Sequence, residues 1–465
     1  MFYQVSRKLS ASGFEVLAMA PFGFTPDEGG DEERAHRENL EAMMRQMQEQ
    51  IAQQFKEMGI NPGAGFPLAG LGAIFGGGAQ EALPLAPVRD SGKKFVSATG
   101  SQPLGTNDLT AINNACEIAD IWLNEATDFP ANSSTATRAI SRLDWIDTTL
   151  PGWQATMEPL ATGLSSAISR LLDEAIASST NEFSEGENAA LGAAPIGAIA
   201  GLLRSFIGSM IATQLGQAIG GIATTATGAH DAGLPILEPA RPLLIPENID
   251  AWGADTDIPK TEIYLFHALR EGAVARLFEH NPWIVSYIRS AIVEYGAGIR
   301  IDLEAIQQQA EEAMQGMQEN PENGEQSFTI ALDSGIFTPE ETATQRQALS
   351  KLETVLALVD GWADEVATLA AGDRIPSITA LRELHRRTRA TNAPSQQLFK
   401  TMLGLEVSPK LSREASAFWS RIRELKGNSA RDQIWSGILP SATELLAPDL
   451  FLASTEIPDD LSGLI

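Results

Sequence analysis

The chain has one cysteine, Cys116, and five histidines in 465 residues. A lone thiol excludes an intrachain disulfide framework and a cysteine-ligated zinc finger. With only His36, His230, His267, His280 and His385, few imidazoles are on hand for catalysis or metal binding. Basic residues are scarce too: 33 Lys and Arg stand against 60 Asp and Glu, a formal charge of −27. That balance disfavours a protein that tracks nucleic-acid phosphates, which needs a basic stripe to release counterions. It equally disfavours docking on an anionic membrane face. Gly-x-Ser-x-Gly and Gly-x-x-x-x-Gly-Lys-[Ser/Thr] are missing, so the α/β-hydrolase and P-loop readings lack their motifs. Gly70-x-Gly72 continues to Gly76, one residue too far for a dinucleotide fingerprint, and no strand precedes it. Alternating β-branched runs are few, so strands must be few and short. What is present is an ordinary apolar content of 43%, enough for a sizeable core. A soluble, acidic, cytoplasmic protein is expected.

Residues 1–80 read as an N-terminal extension. Gly13-Phe14-Glu15-Val16 interrupts the first apolar stretch, whereas a signal peptide needs roughly 7–15 uninterrupted apolar residues. Residues 1–18 are therefore taken as additional sequence, and a start at Met1 or at Met19 fits. Leu40, Met44, Met47, Ile51, Phe55 and Met58 recur every three or four residues, one face of an amphipathic helix. Residues 59–80 are rich in Gly, Pro and Ala and read as a flexible linker.

From about residue 105 the pattern is helical almost throughout, and the predicted class is predominantly α. Thr106-Asn107-Asp108 can cap a helix that carries Leu109, Ile112, Ala115, Ile118 and Ile121. A second helix is expected over 133–147, with Pro151 marking a turn before a third over 152–178. Residues 318–326 form a polar loop. Thr338-Pro339-Glu340-Glu341 is a capping box that should open a helix running towards residue 371. Residues 191–224 are long enough to span a membrane, but Arg204 falls centrally and Pro195 breaks the start. Gly197-x-x-x-Gly201 and Gly216-x-x-x-Gly220 instead suit close helix–helix approach in a buried core. No stable membrane insertion is expected.

The segment richest in chemical possibility is 261–302. One helix should stop near Asn281-Pro282 and another should open with Trp283. In a zincin, His-Glu-x-x-His puts two imidazoles on one helix face to bind zinc, and the intervening Glu acts as base on the metal-bound water. Arg270-Glu271-Gly272-Ala273-Val274 has that layout with the base present and both imidazoles replaced.

Residues 19–450 resemble a zincin-like family of bacterial proteins. Its members are labelled zinc-dependent metalloproteases or hydrolases, and some are associated with biosynthesis of a deazaflavin coenzyme. The matching stretches run through the chain. Early ones are Pro21-Phe22-Gly23-Phe24, Trp122-Leu123-x-Glu125-Ala126-Thr127, Leu150-Pro151-x-Trp153 with Glu158-Pro159, and Gln214-Leu215-Gly216-Gln217-Ala218. Then come Leu244-Ile245-Pro246, Ala268-Leu269-Arg270-Glu271, Arg276-Leu277-Phe278 and Pro282-Trp283. Late ones are Leu403-Gly404-Leu405-Glu406, Arg431-Asp432-x-x-Trp435 and Leu439-Pro440.

The resemblance implies a zincin-like, formally α+β domain over 81–455, followed by a tail over 456–465. It implies His at positions 270 and 274 in zinc-binding members, and places Asp360 of Leu358-Val359-Asp360-Gly361 where an acidic third ligand would sit. The zinc motif therefore reads as degenerate, with Glu271 as a vestigial general base. A shifted set of His267, Glu271 and His280 with Asp360 or Asp364 is the alternative metal site. The bland reading makes His267 and His280 ordinary helix residues, His280 favourably near a helix C-terminus. It gives Glu271 a structural ion pair with Arg270, Arg276 or another cation. Cys116 reads as inert core. The basic cluster of Arg382, His385, Arg386, Arg387 and Arg389 reads as a solvated face paired with the chain's own carboxylates. The expectation is a non-catalytic binding or scaffold protein with no bound cofactor, whose cleft between the 264–280 and 341–371 helices holds a peptide or protein partner. The alternative is a zinc-dependent hydrolase using Glu271.

Overall fold

A computed structural model describes residues 83–132, 138–182, 208–209, 211–299, 342–403 and 411–455, all within the compact unit Gly72–Ile465. In chain order its helices are α1 (Leu85–Thr99), α2 (Thr106–Ala126), α3 (Arg142–Glu182) and α4 (211–225). Then follow α5 (Pro246–Gly253), α6 (Lys260–His280), α7 (Pro282–Ala297) and α8 (Ala343–Ala371). The last four are α9 (Ile378–Asn392), α10 (Pro394–Leu403), α11 (Ser412–Gln433) and α12 (Pro448–Thr455). The class is predominantly α, as expected. In place of the few short strands, the described residues hold only isolated bridges, which pair Leu244 with Ala139 and Gly228.

At the centre lies α6, buried without a break from Phe266 to Phe278. A helix enclosed on all sides belongs to the core of a large domain. It packs against α2 and α8, while α8 also packs on α7 and α11 and α7 on α3. Asn281 separates α6 from α7, and Pro282 takes the first helical position, where its missing N–H has no acceptor to lose. The break foreseen at Asn281-Pro282 is there.

Other local expectations were displaced. The first capping site shifts by one residue: Gly105 is the N-cap of α2, and the Asp108 carboxylate accepts its N–H at 3.1 Å. Residues 138–141 are not helical; α3 starts at Arg142, with the Ser141 hydroxyl accepting the Asp144 N–H. The helix then runs straight through Pro151 and Pro159. A proline inside a helix costs about 3 kcal/mol, but Ile146, Leu150, Trp153, Met157, Leu160 and Leu164 are buried along one face and outweigh it. In the described part of α8, Thr342 is the cap, its hydroxyl accepting the Gln345 N–H while the Gln345 carbonyl accepts that of Thr342. The foreseen Thr338 box lies outside the described residues, as do the 40–58 helix, the 59–80 linker, Gly197 and Gly201, the 318–326 loop and the 456–465 tail.

Gly216 and Gly220 do serve close approach. A Cβ at Gly216 would fall 2.4 Å from the Val88 carbonyl oxygen, and one at Gly220 2.8 Å from that of Gly92. Their partner is α1, which contributes its own Gly92. Among the described residues no helix is long and apolar enough to cross a membrane.

Candidate functional site

Over α6 passes a loop, 226–245, pinned by Ala229 N–H to Leu243 O, Ile245 N–H to Thr227 O and Leu244 N–H to Arg138 O. Its backbone turns inward on Glu271. The carboxylate accepts N–H groups from Ala229 (3.1 Å), His230 (3.1 Å) and Leu243 (3.2 Å), and lies 2.8 Å from Nδ1 of His230. An ionised carboxylate only accepts, so the hydrogen-bond pattern assigns the proton of this contact to His230 Nδ1. The loop can come this close because residue 228 is glycine: a Cβ there would fall 2.3 Å from Glu271 Oε2.

Beside this knot opens a cleft of about 580 Å³, solvent-filled mouth included, between the loop, α6 and α8. Glu271, His267, Arg270 and Val274 of α6 face Leu356, Val359 and Asp360 of α8 across it, with His230 and Asp231 from the loop and Arg389 from α9. Arg270 forms an ion pair with Asp360 and lies 3.5 Å from Asp364. Arg389 bonds Asp231 at 2.7 Å. Burial alone would push Asp360 up, but Arg270, His385 and Arg389 hold it well below the usual carboxylate range. Asp364 is likewise buried, yet Arg382, Arg270 and Arg386 bring it down to about 2. The histidines respond the other way. Burial lowers His267 to about 3, and burial followed by the nearby Arg270 lowers His385 to about 4, so both rings are neutral at pH 7.

A zincin-like metallopeptidase family matches residues 86–452. The chain belongs to that family. No curated protein matches it. Among solved structures it is similar to a chain from Chloroflexus aurantiacus described as "a putative hydrolase with a novel fold". The two share 14% identity at a TM-score of 0.51, over 80% of this chain and 98% of the other, a likeness of fold.

In a zincin-like metallopeptidase that binds zinc, two neutral imidazoles one turn apart would hold the metal and a glutamate would stay free to take a proton from its water. At the first of those positions, as the resemblance implies them, stands the guanidinium of Arg270, a permanent cation. The second is the hydrocarbon of Val274, buried in the core. Asp360, at the third ligand position implied by the resemblance, is paired to Arg270. Among the described residues no three His, Cys, Asp or Glu side chains form a group that could hold a metal ion. Arg270 and Val274, at the positions that the resemblance implies, are not zinc donors.

The shifted set is only partly brought together. His267, Glu271 and Asp360 share the cleft, but His280 is exposed, bonds the Pro130 carbonyl at 3.2 Å and stacks on Phe129. Asp364 is engaged by Arg382, Arg386 and the Ser416 hydroxyl. The structural partner of Glu271 is neither Arg270 nor Arg276 but His230, a residue to which the sequence reading gave no role. Arg276 is wholly buried and bonds Asp120, Asn124 and the Phe129 carbonyl instead. Cys116 is buried core, its thiol pushed up to about 12 by burial. The basic cluster is self-paired as expected, yet it is no solvated face throughout: His385 is buried, and Arg382, Arg386 and Arg389 reach inward to Asp364 and Asp231.

Proposed function

We propose that this zincin-like metallopeptidase relative is a non-catalytic, cytoplasmic binding or scaffold protein, and that its cleft takes a small ligand or the end of a peptide. The observation that carries this reading is the state of Glu271. Three backbone N–H groups and one imidazole N–H converge on it, three of the four donors on Oε1 and the His230 N–H on Oε2, so the carboxylate is engaged in holding the loop. A general base must instead be free to meet the proton it removes. The Arg270–Asp360 ion pair supports the same reading, because Arg270 already engages the carboxylate that a metal would need as a ligand. The partner class is a small neutral molecule or peptide, in keeping with a cleft whose two arginines are each paired to an aspartate.

Elemental analysis of untagged protein, purified without chelator and then dialysed against zinc, tests the proposal. The expected result is no stoichiometric metal. About one zinc per chain would overturn the reading and favour the alternative, a zinc-dependent hydrolase with Glu271 as general base and a non-standard ligand set. The Glu271→Gln variant then separates the roles. Under the binding reading it lowers stability by about 1–3 kcal/mol, since the new NH2 group faces donors it cannot bond. Under the hydrolase reading it abolishes turnover.

A further inference from the structure

Three buried polar atoms on the cleft make no hydrogen bond: Nε2 of His230, Nε2 of His267 and Nη1 of Arg270, the last 3.5 Å from Asp364 Oδ1. They come from the loop and from two successive turns of α6, and all three residues line the same cavity. Leaving a buried polar atom unpaired costs about 1–3 kcal/mol, so three gathered at one cavity mark a place where a partner belongs. Their chemistry restricts that partner. His230 donates from Nδ1 to Glu271, and in that tautomer Nε2 is an acceptor. Arg270 Nη1 can only donate. Among the lining side chains Arg270 and Arg389 face the carboxylates of Asp231, Asp360 and Glu271, so an anion finds no unmatched cation there. Val274, Leu356 and Val359 make the remaining wall apolar.

We infer that the cleft binds a neutral carboxamide on a small apolar body: the amide N–H donates to His230 Nε2, and the carbonyl accepts from Arg270 Nη1. This rests on the binding reading above and names its ligand class.

Benzamide and benzoate are near-isosteric probes that differ in charge and in the N–H donor. Each is titrated into the full chain while the 15N resonances of the histidine side chains are followed. Benzamide is expected to shift the His230 Nε2 resonance and to bind at least about tenfold more tightly than benzoate, the factor that 1.4 kcal/mol represents. His230→Phe should weaken benzamide by a similar factor. If that variant fails to fold, the wild-type His230 resonance alone decides. Benzoate binding as tightly as benzamide, a His230 resonance that does not move, or no benzamide binding up to its solubility limit would each overturn the assignment. Zinc content is measured on the same sample. Failure of the non-catalytic reading thus shows in the metal, and failure of the amide assignment shows in the titration.

Discussion

Gly228 decides whether Glu271 can sit where it does. Any side chain there meets the carboxylate and, at 3.1 Å, the Leu243 carbonyl oxygen. The carboxylate cannot swing aside cheaply, since it would leave the His230 and Leu243 N–H groups unpaired. Gly228→Ala is therefore expected to cost about 2–3 kcal/mol, read as a lower urea midpoint with an unchanged slope. His267 behaves in the opposite sense. Its ring sits edge-on to Trp252 at 4.6 Å and its Nε2 bonds nothing, so a phenyl ring replaces it at small cost. Because its folded pKa is depressed to about 3, the unfolded chain binds its proton first, near pH 6.5. Stability is then fully present above pH 6.5 and lost as pH falls towards 3. His267→Phe removes that loss: unfolding free energies should match the parent near pH 7.5 and exceed it by about 2 kcal/mol at pH 5. Equal stability of the two proteins at pH 5 would show that His267 protonates freely in the fold.

At the scale of elements, the chain's local punctuation could be read where the signal is local. Asn281-Pro282 ends one helix and starts the next because proline dictates backbone and donor count wherever it falls. Pro151 carries the same signal and was misread, because the buried face of α3, out of reach of a local rule, overrides it. The Glu271–His230 and Arg270–Asp360 contacts span 41 and 90 residues. No periodicity links such positions, so α6 revealed which residues were unusual but not what they touch. The glycine spacing on α4 was legible, since small residues four apart leave a groove that another backbone can fill. It makes a sharp contrast testable. Gly216→Ala drives a methyl into Val88 and Ser91 of α1 and should destabilise by about 2 kcal/mol. Gly221→Ala, in the same helix with nothing within 4 Å of its new methyl, should stabilise by about 0.5–1 kcal/mol. Thermal melts of the two variants moving in the same direction would contradict the α1–α4 crossing.

Across the whole molecule, many residues that carry the family resemblance build the frame rather than the chemistry. Trp153 is buried core, and Trp283 donates its indole N–H to the Trp435 carbonyl at 2.7 Å. Arg431 and Asp432 are buried where α2, α8 and α11 meet. There Arg431 bonds Glu365 and the Ala126 carbonyl. Asp432 takes four donors: Trp362 Nε1 (3.0 Å), Arg431 Nε (2.8 Å), the Thr127 hydroxyl (2.7 Å) and the Asp128 N–H (2.9 Å). These family residues hold the fold through a polar knot that shares no residue with the cleft. Removing one partner of a buried charge network costs about 3–5 kcal/mol, because the other charge stays behind. Asp432→Asn keeps the size but turns one acceptor into a donor facing donors, so a loss of about 3 kcal/mol is expected. The same variant should bind benzamide as the parent does while it remains folded, since Asp432 does not line the cleft. Reduced affinity in the folded variant would mean that the knot and the cleft are one cooperative unit.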